Sequence, residues 1–197
     1  MEYLIENSLL GEYNVIAGTD EAGRGPLAGP VYAAAVILPI GTEIKGLNDS
    51  KKISPKKREL LFDEICDKAI AYAIACEDVE TIEATDILSA SQSAMVKAVN
   101  DLKVKPDIVL VDGNIARGFP VEAKTVIGGD AISPNIAAAS ILAKESRDRY
   151  MAELDKKYSV YGFAKHKGYG TKEHREAILK YGPCPEHRMS FLKKILK

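Results

Sequence analysis

Apolar and β-branched residues run together from Tyr13 to Thr19, which predicts a strand. A Gly/Pro turn, Gly23 to Pro30, separates it from an unbroken apolar run, Val31 to Leu38, that predicts a second, buried strand. Ser54-Pro55 joins a cap residue to a proline at the first helical position, and Leu61, Ile65 and Ala69 then repeat as one helix face should. Ala71 to Cys76 predicts a third strand and Asp86 to Leu102 a helix. Asp107 to Val111 and Ala123 to Ile127 read as compact strands, followed by Asp112-Gly113 and by Gly128-Gly129-Asp130. Ser133-Pro134 repeats the cap-plus-proline start, and the helix beyond it extends to about Tyr158. Gly168 to Gly170 is a loop, and Thr171 caps a helix through Lys180. Strands in meander order, then strand–helix alternation, predict an α/β fold with a mixed sheet flanked by helices.

Length and composition add limits. At 197 residues, 46% of them hydrophobic and 28% charged, the chain suits a single globular domain spanning 1–197. The net charge of -1 does not announce a nucleic-acid binder, but its distribution is uneven. Residues 163–197 hold nine Lys or Arg against three Glu, and residues 51–58 hold five cations. Basic segments on a near-neutral chain suit a surface that follows phosphates, although either alone reads equally as a solvated face. Cys66, Cys76 and Cys184 have no CxxC spacing, as expected of reduced thiols. No signal-peptide pattern opens the chain, and its longest apolar run is too short to span a bilayer, so a soluble, cytoplasmic protein is expected.

Four acids share one topological property. Asp20 and Glu21 follow the first strand, Asp112 the fourth and Asp130 the fifth. The carboxyl ends of strands are where sites form in α/β sheets. One strand-end Asp is more often a turn former, but four brought into one cleft would repel one another unless cations filled it. Oxygen-only ligands favour Mg²⁺ or Mn²⁺, and a pair of such ions can clamp a phosphoryl displacement. Gly23-Arg24-Gly25-Pro26-Leu27-Ala28 matches a dinucleotide fingerprint on paper, but Pro26 and Pro30 follow where a helix should open. Bare backbone that approaches a sugar-phosphate chain, with Arg24 pairing a phosphate, fits better.

Thr19-Asp20-Glu21-Ala22-Gly23-Arg24-Gly25-Pro26 resembles the opening motif of the ribonuclease HII family, the type 2 RNase H enzymes. Asp49-Ser50-Lys51-Lys52, Val111-Asp112-Gly113-Asn114 and Gly129-Asp130 resemble its next blocks. So do Ile136 to Lys144, His166-Lys167-Gly168-Tyr169-Gly170-Thr171 and His187-Arg188-Met189-Ser190-Phe191, in the expected order over residues 13–192. The resemblance implies an RNase H-like fold: a five-stranded mixed sheet flanked by helices, with a helical C-terminal extension from about residue 160. It implies endonucleolytic cleavage of RNA in RNA–DNA hybrids and 5′ of single ribonucleotides in duplex DNA, leaving 3′-hydroxyl and 5′-phosphate ends. Asp20, Glu21, Asp112 and Asp130 map onto its metal-binding catalytic acids, expected to hold two Mn²⁺ or Mg²⁺ ions. Gly23, Arg24 and Gly25 resemble the segment that contacts the 2′-OH, and Tyr169 the tyrosine that senses the RNA-to-DNA junction. Lys51, Lys52 and Lys167 are candidate phosphate contacts, whereas Lys144 and Arg147 read equally as solvent-facing. Gly170 stands where proline is more usual.

Rival readings are weaker. The sister ribonuclease HIII family generally carries an N-terminal substrate-binding domain and a Glu as fourth acid, whereas the first strand here begins early and the fourth acid is Asp130. A resolvase-like nuclease would not need the Gly23-Arg24-Gly25 and Tyr169 pair. A non-catalytic binding module would not need four acids, which weaken phosphate binding. Cys184-Pro185-Glu186-His187 has CxxH spacing near His166 and His174, but no second close pair completes a zinc site. A monomer is expected, and the tail from Arg188 to Lys197 shows no sliding-clamp motif.

Overall fold

The computed structural model describes residues 1–48, 50 and 53–196. A short helix α1, Leu4–Leu9, precedes strand β1, Ile16–Ala22. β1 runs three residues past its predicted end, so Asp20 and Glu21 lie within the strand instead of after it. The reason is a partner: β2, Val31–Ile37, pairs antiparallel with β1 as far as Ala22 opposite Tyr32. Hydrogen bonding to a neighbour, which local apolarity does not report, decides where the strand stops.

Helix α2 (Pro55–Lys68), strand β3 (Ala71–Glu77), helices α3 (Val79–Ala84) and α4 (Ile87–Asn100) and strands β4 (Ile108–Asp112) and β5 (Glu122–Val126) follow. Helix α5 (Pro134–Lys157) then leads to α6 (Phe163–His166), α7 (Lys172–Tyr181) and α8 (Met189–Leu192). The helices absent from the sequence reading, α1, α3, α6 and α8, are six residues or shorter, too short for helical periodicity to register.

The sheet order is β3-β2-β1-β4-β5. Pairing is antiparallel from β3 to β1 and parallel from β1 to β5. This is the five-stranded mixed sheet expected. Because β1 and β4 run parallel with Thr19 opposite Val111, the next residues, Asp20 and Asp112, leave the same edge of the sheet.

Both faces of β2 are covered. Ala33, Ala35 and Ile37 pack with Ala94, Met95 and Ala98 of α4, and Ala34 and Val36 pack with Ala138, Ile141 and Leu142 of α5. Two buried faces at a period of two leave no polar position, hence the unbroken apolar run. Helix α5 lies so close to β1 that a Cβ on Gly18 would sit 2.4 Å from Asn135 C and Ile136 N. Asn135 fastens this contact: its Oδ1 accepts from Leu38 N–H at 2.8 Å and its Nδ2 donates to Ile16 O at 3.3 Å. The far half of α5 supports the C-terminal helices through Met151 and Leu154, which cluster with Phe163, Ile178, Leu192 and Ala28. Among the described residues, no helix is long and apolar enough to cross a membrane.

Candidate active site

Asp20 near the end of β1 is 5% exposed, Asp112 closes β4, and Asp130 is buried in a 3-10 turn, Gly129–Ala131. Burial pushes the Asp20 carboxyl well above its usual range, and the charges of Glu21 and Asp112 push it further. Glu21 is also raised by burial, with Arg24 opposing the shift and Asp112 adding to it. The structure therefore brings Asp20, Glu21 and Asp112 within reach of one another's charge. Asp130 follows Gly129, whose N–H donates to Asp112 Oδ1 at 2.7 Å, so the turn that carries it is tied to the end of β4. That turn has no room for a side chain at 129, where a Cβ would lie 2.4 Å from Ile136 Cδ1. The acids are turned onto protein donors: Glu21 N–H donates to Asp20 Oδ1 at 2.7 Å, and Arg24 Nη1 to Glu21 Oε1 at 3.3 Å. Among the described residues, no three His, Cys, Asp or Glu side chains already stand in a metal-holding arrangement.

The turn after β1 is held from behind by two arginines. Arg188, fully buried, donates through Nη2 to Gly23 O at 2.7 Å and through Nη1 to Arg24 O at 3.1 Å and Pro26 O at 3.0 Å. Its Nε donates to Gly29 O at 2.9 Å. Arg147, 1% exposed, donates to Pro30 O, Ala28 O and Lys167 O at 2.9–3.0 Å. The solvent-facing reading of Arg147 is thus corrected. Carbonyl dipoles, seven in all, solvate these two charges, while burial and their mutual repulsion pull the Arg188 pKa down. A trans peptide sets each N–H opposite the preceding C=O. With the Gly23 and Arg24 carbonyls turned inward, the N–H groups of Arg24 and Gly25 point outward. Gly23 is required here: its φ is +105°, and a Cβ would strike Arg147 Nε at 2.2 Å.

Glu21, Gly23, Arg24 and Gly25 line a cleft of about 160 Å³ together with Ser50, Ser140, Lys144 and Tyr169. Tyr169 is 44% exposed, its ring beside Gly25. Lys144 Nζ stands 6.0 Å from the centre of that ring and donates to Asp148 Oδ1 at 2.6 Å. Asp148 also accepts from Arg58 of α2 at 2.7 Å, so the lysine is aimed by a buried ionic network and is not a loose surface cation. Lys167 lies in the same loop as Tyr169, with a left-handed φ of 53° and its Nζ 3.4 Å from Asp148 O. Gly170 fits tightly: a Cβ would lie 3.0 Å from Leu27 Cδ1, so the glycine lets the Tyr169 loop close on the Gly23–Pro30 turn. Lys51 and Lys52 lie outside the described residues.

Sequence reasoning missed Arg188 as an anchor, Arg147 as a buried group, and Ser50 and Ser140, whose hydroxyls meet at 2.9 Å. One signal was available. Ser140, Lys144 and Arg147 are spaced i, i+4, i+7, which places them on one face of α5. Which way that face points depends on the docking of α5 on β1. His166, His174 and His187 do come together, but as hydrogen-bonded rings: His174 Nε2 lies 3.1 Å from His187 Nε2, and the outer nitrogens bond to backbone.

The family model for ribonuclease HII matches residues 17–194. A ribonuclease HII from Caldicellulosiruptor bescii is 55% identical over 193 residues, covering 98% of this chain and 94% of that protein. One from Acetivibrio thermocellus is 56% identical over 184 residues, covering 93% of this chain and 72% of that protein. Among solved structures, the ribonuclease H2 of Pyrococcus horikoshii superposes with a TM-score of 0.75 at 27% identity, over 92% of this chain and 97% of that one.

Proposed function

This chain belongs to the ribonuclease HII family of endoribonucleases, with its RNase H-like α/β fold, and from that premise we propose a reaction and its residues. The protein hydrolyses the RNA strand of RNA–DNA hybrids and cuts 5′ of a ribonucleotide embedded in duplex DNA. It leaves 3′-hydroxyl and 5′-phosphate ends, and Asp20, Glu21, Asp112 and Asp130 are the catalytic acids. One observation carries the reading: a buried Asp20 is crowded by half-buried Glu21 and Asp112 at the parallel ends of β1 and β4, beside a cleft rimmed by Arg24, Lys144 and Tyr169.

The donor set fits two divalent cations of the Mg²⁺ or Mn²⁺ kind. It is all carboxylate oxygen, and the burial that raises Asp20, together with the added repulsion of Glu21 and Asp112, is what a cation would offset. When bound, such ions activate the attacking water and stabilise the leaving oxygen.

The rest is done by the chain's own groups. The outward N–H groups of Arg24 and Gly25 suit a 2′-hydroxyl, the atom that distinguishes RNA from DNA. The Arg24 guanidinium is half-exposed and suits a neighbouring phosphate. Tyr169 can pack its ring on the deoxyribose that follows the ribonucleotide, where a second 2′-OH would be crowded. Lys144, 6.0 Å from the centre of that ring, and Lys167, in the same loop, are assigned as phosphate contacts, and Lys51 and Lys52 are given the same role from the motif they belong to. Nothing in this chemistry needs a second copy, so the working unit is taken as a monomer acting on nucleic acid.

The test is a DNA duplex with one embedded ribonucleotide, incubated with Mn²⁺ or Mg²⁺ beside an Asp20→Asn control. Cleavage 5′ of the ribonucleotide is expected from the wild type and a loss on the order of 10³-fold from the variant. A folded wild-type protein that leaves this substrate intact would remove the reading.

A further inference from the structure

The C-terminal segment holds a chain of hydrogen bonds that catalysis does not use. His187 Nδ1 meets three groups of Cys184: its N–H at 2.9 Å, its Sγ at 3.1 Å and its carbonyl at 3.3 Å. The N–H is the shortest of the three and can only donate, which makes Nδ1 the acceptor and puts the ring proton on Nε2. His174 Nδ1 lies 2.9 Å from Tyr169 O. A carbonyl only accepts, so His174 carries its proton on Nδ1 and its Nε2 is bare. The two Nε2 atoms are 3.1 Å apart, and the remaining donor and acceptor match: His187 Nε2–H donates to His174 Nε2. Each tautomer is thus dictated by the backbone group at the far side of its ring.

Both rings are buried, at 0% and 2% exposure, and Phe163 packs its ring 5.4 Å from His174 and 5.6 Å from His187. Burial lowers the pKa of both, that of His174 to about 4, so both are neutral at physiological pH, as the pairing requires.

The ends of this chain fall on the two loops assigned to substrate recognition. His187 bridges Ala28 across an antiparallel pair, and the next residue donates Arg188 N–H to Leu27 O at 2.8 Å while its side chain grips the Gly23–Gly29 carbonyls. At the other end, His174 grips the carbonyl of Tyr169 itself. We propose that the His174–His187 pair is a positioning device that fixes Tyr169 against the Gly23–Pro30 turn, and so sets how sharply a lone ribonucleotide is favoured over continuous RNA. The proposal rests on the assignment of Tyr169 to junction sensing. Neither histidine touches substrate. They act through the Tyr169 carbonyl and through the segment that carries Arg188.

Two measurements test it. A long-range ¹H–¹⁵N spectrum of the wild-type imidazoles should show His174 as the Nδ1–H tautomer and His187 as Nε2–H. The opposite assignment for either ring would break the chain and overturn the proposal. The second compares kcat/KM on a single-ribonucleotide duplex and on a long hybrid. His187→Phe keeps a ring against Phe163 but removes the donor; it should lower the ratio of the two about tenfold, as loss of one buried hydrogen bond would give. His187→Gln, which can still donate at the Nε2 position, should recover most of the ratio. An unchanged ratio in His187→Phe, while Tyr169→Ala alters it, defeats the positioning role alone. If Tyr169→Ala costs both substrates equally, junction sensing itself fails and the proposal falls with it.

Discussion

Asp20 carries a burden that only its neighbours explain. A buried carboxylate raised by burial and by two further acids destabilises the metal-free protein whenever it is ionised. Asp20→Asn should therefore raise the metal-free melting temperature by roughly 2–4 °C for each kcal/mol of repulsion relieved. Mn²⁺ should stabilise the wild type and not the variant, as thermal scans with and without metal would show. Arg188 is the reverse case, a buried charge satisfied wholly by carbonyls. Lysine has no planar fork with which to reach four of them. Arg188→Lys should cost about 3 kcal/mol, in the range for breaking a buried charge network, and should raise KM more than it lowers kcat, since it loosens the turn and not the acids. His174 gives a pH dependence of known sign. Its pKa is about 4 when folded against an ordinary 6.5, so the unfolded chain takes up the proton first. The stability it contributes is complete above pH 6.5 and is lost as pH falls from 6.5 towards 4. Urea midpoints across that window should fall less in His174→Asn than in the wild type.

Helix α5 is the rail along which the site is laid out. Its N-terminal turn presses on Gly18, and from there the i, i+4, i+7 face delivers Ser140, Lys144 and Arg147 to the cleft and its supporting turn. Gly18→Ala would place a Cβ 2.4 Å from helix backbone, which cannot rotate aside. A loss of about 1–3 kcal/mol is expected from such overpacking, with reduced cleavage although Gly18 touches no substrate; a melt and a cleavage assay on the same sample check both. Much at this scale was legible beforehand. Ser133 and Thr171 cap their helices with side-chain oxygens, as their positions before Pro134 and Lys172 suggested. The apolar run of β2 announced two covered faces. The end of β1 was not legible, because pairing with β2 sets it, and neither was the inward face of α5, because every residue from Pro134 to Ala143 is buried and no polar side betrays a direction.

At the scale of the whole molecule, the acids of the sheet are joined to the Tyr169 loop of the C-terminal segment. Phe163, Ile178 and Leu192 share one apolar cluster with Met151 and Ala28, and Arg188 reaches back to the turn after β1. A chain cut after Gly162 should expose Met151 and Leu154, lose the Arg188 clamp, and fail to cleave even long hybrids. Dye binding to exposed apolar surface and a hybrid cleavage assay would show both. The sequence by itself determined the candidate acids, the glycines beside them, the family and the succession of strands along the chain. The acids and strands follow from residue chemistry and local periodicity, and the family from the resemblance of its motif blocks, none of which needs knowledge of neighbours. Only the tertiary structure decided that Arg147 and Arg188 are buried anchors, that Lys144 is aimed by Asp148, and that His174 and His187 meet behind the carbonyl of Tyr169. Each of these depends on which backbone groups meet a side chain after folding. An arginine that solvates carbonyls and one that faces water are the same letter in the chain.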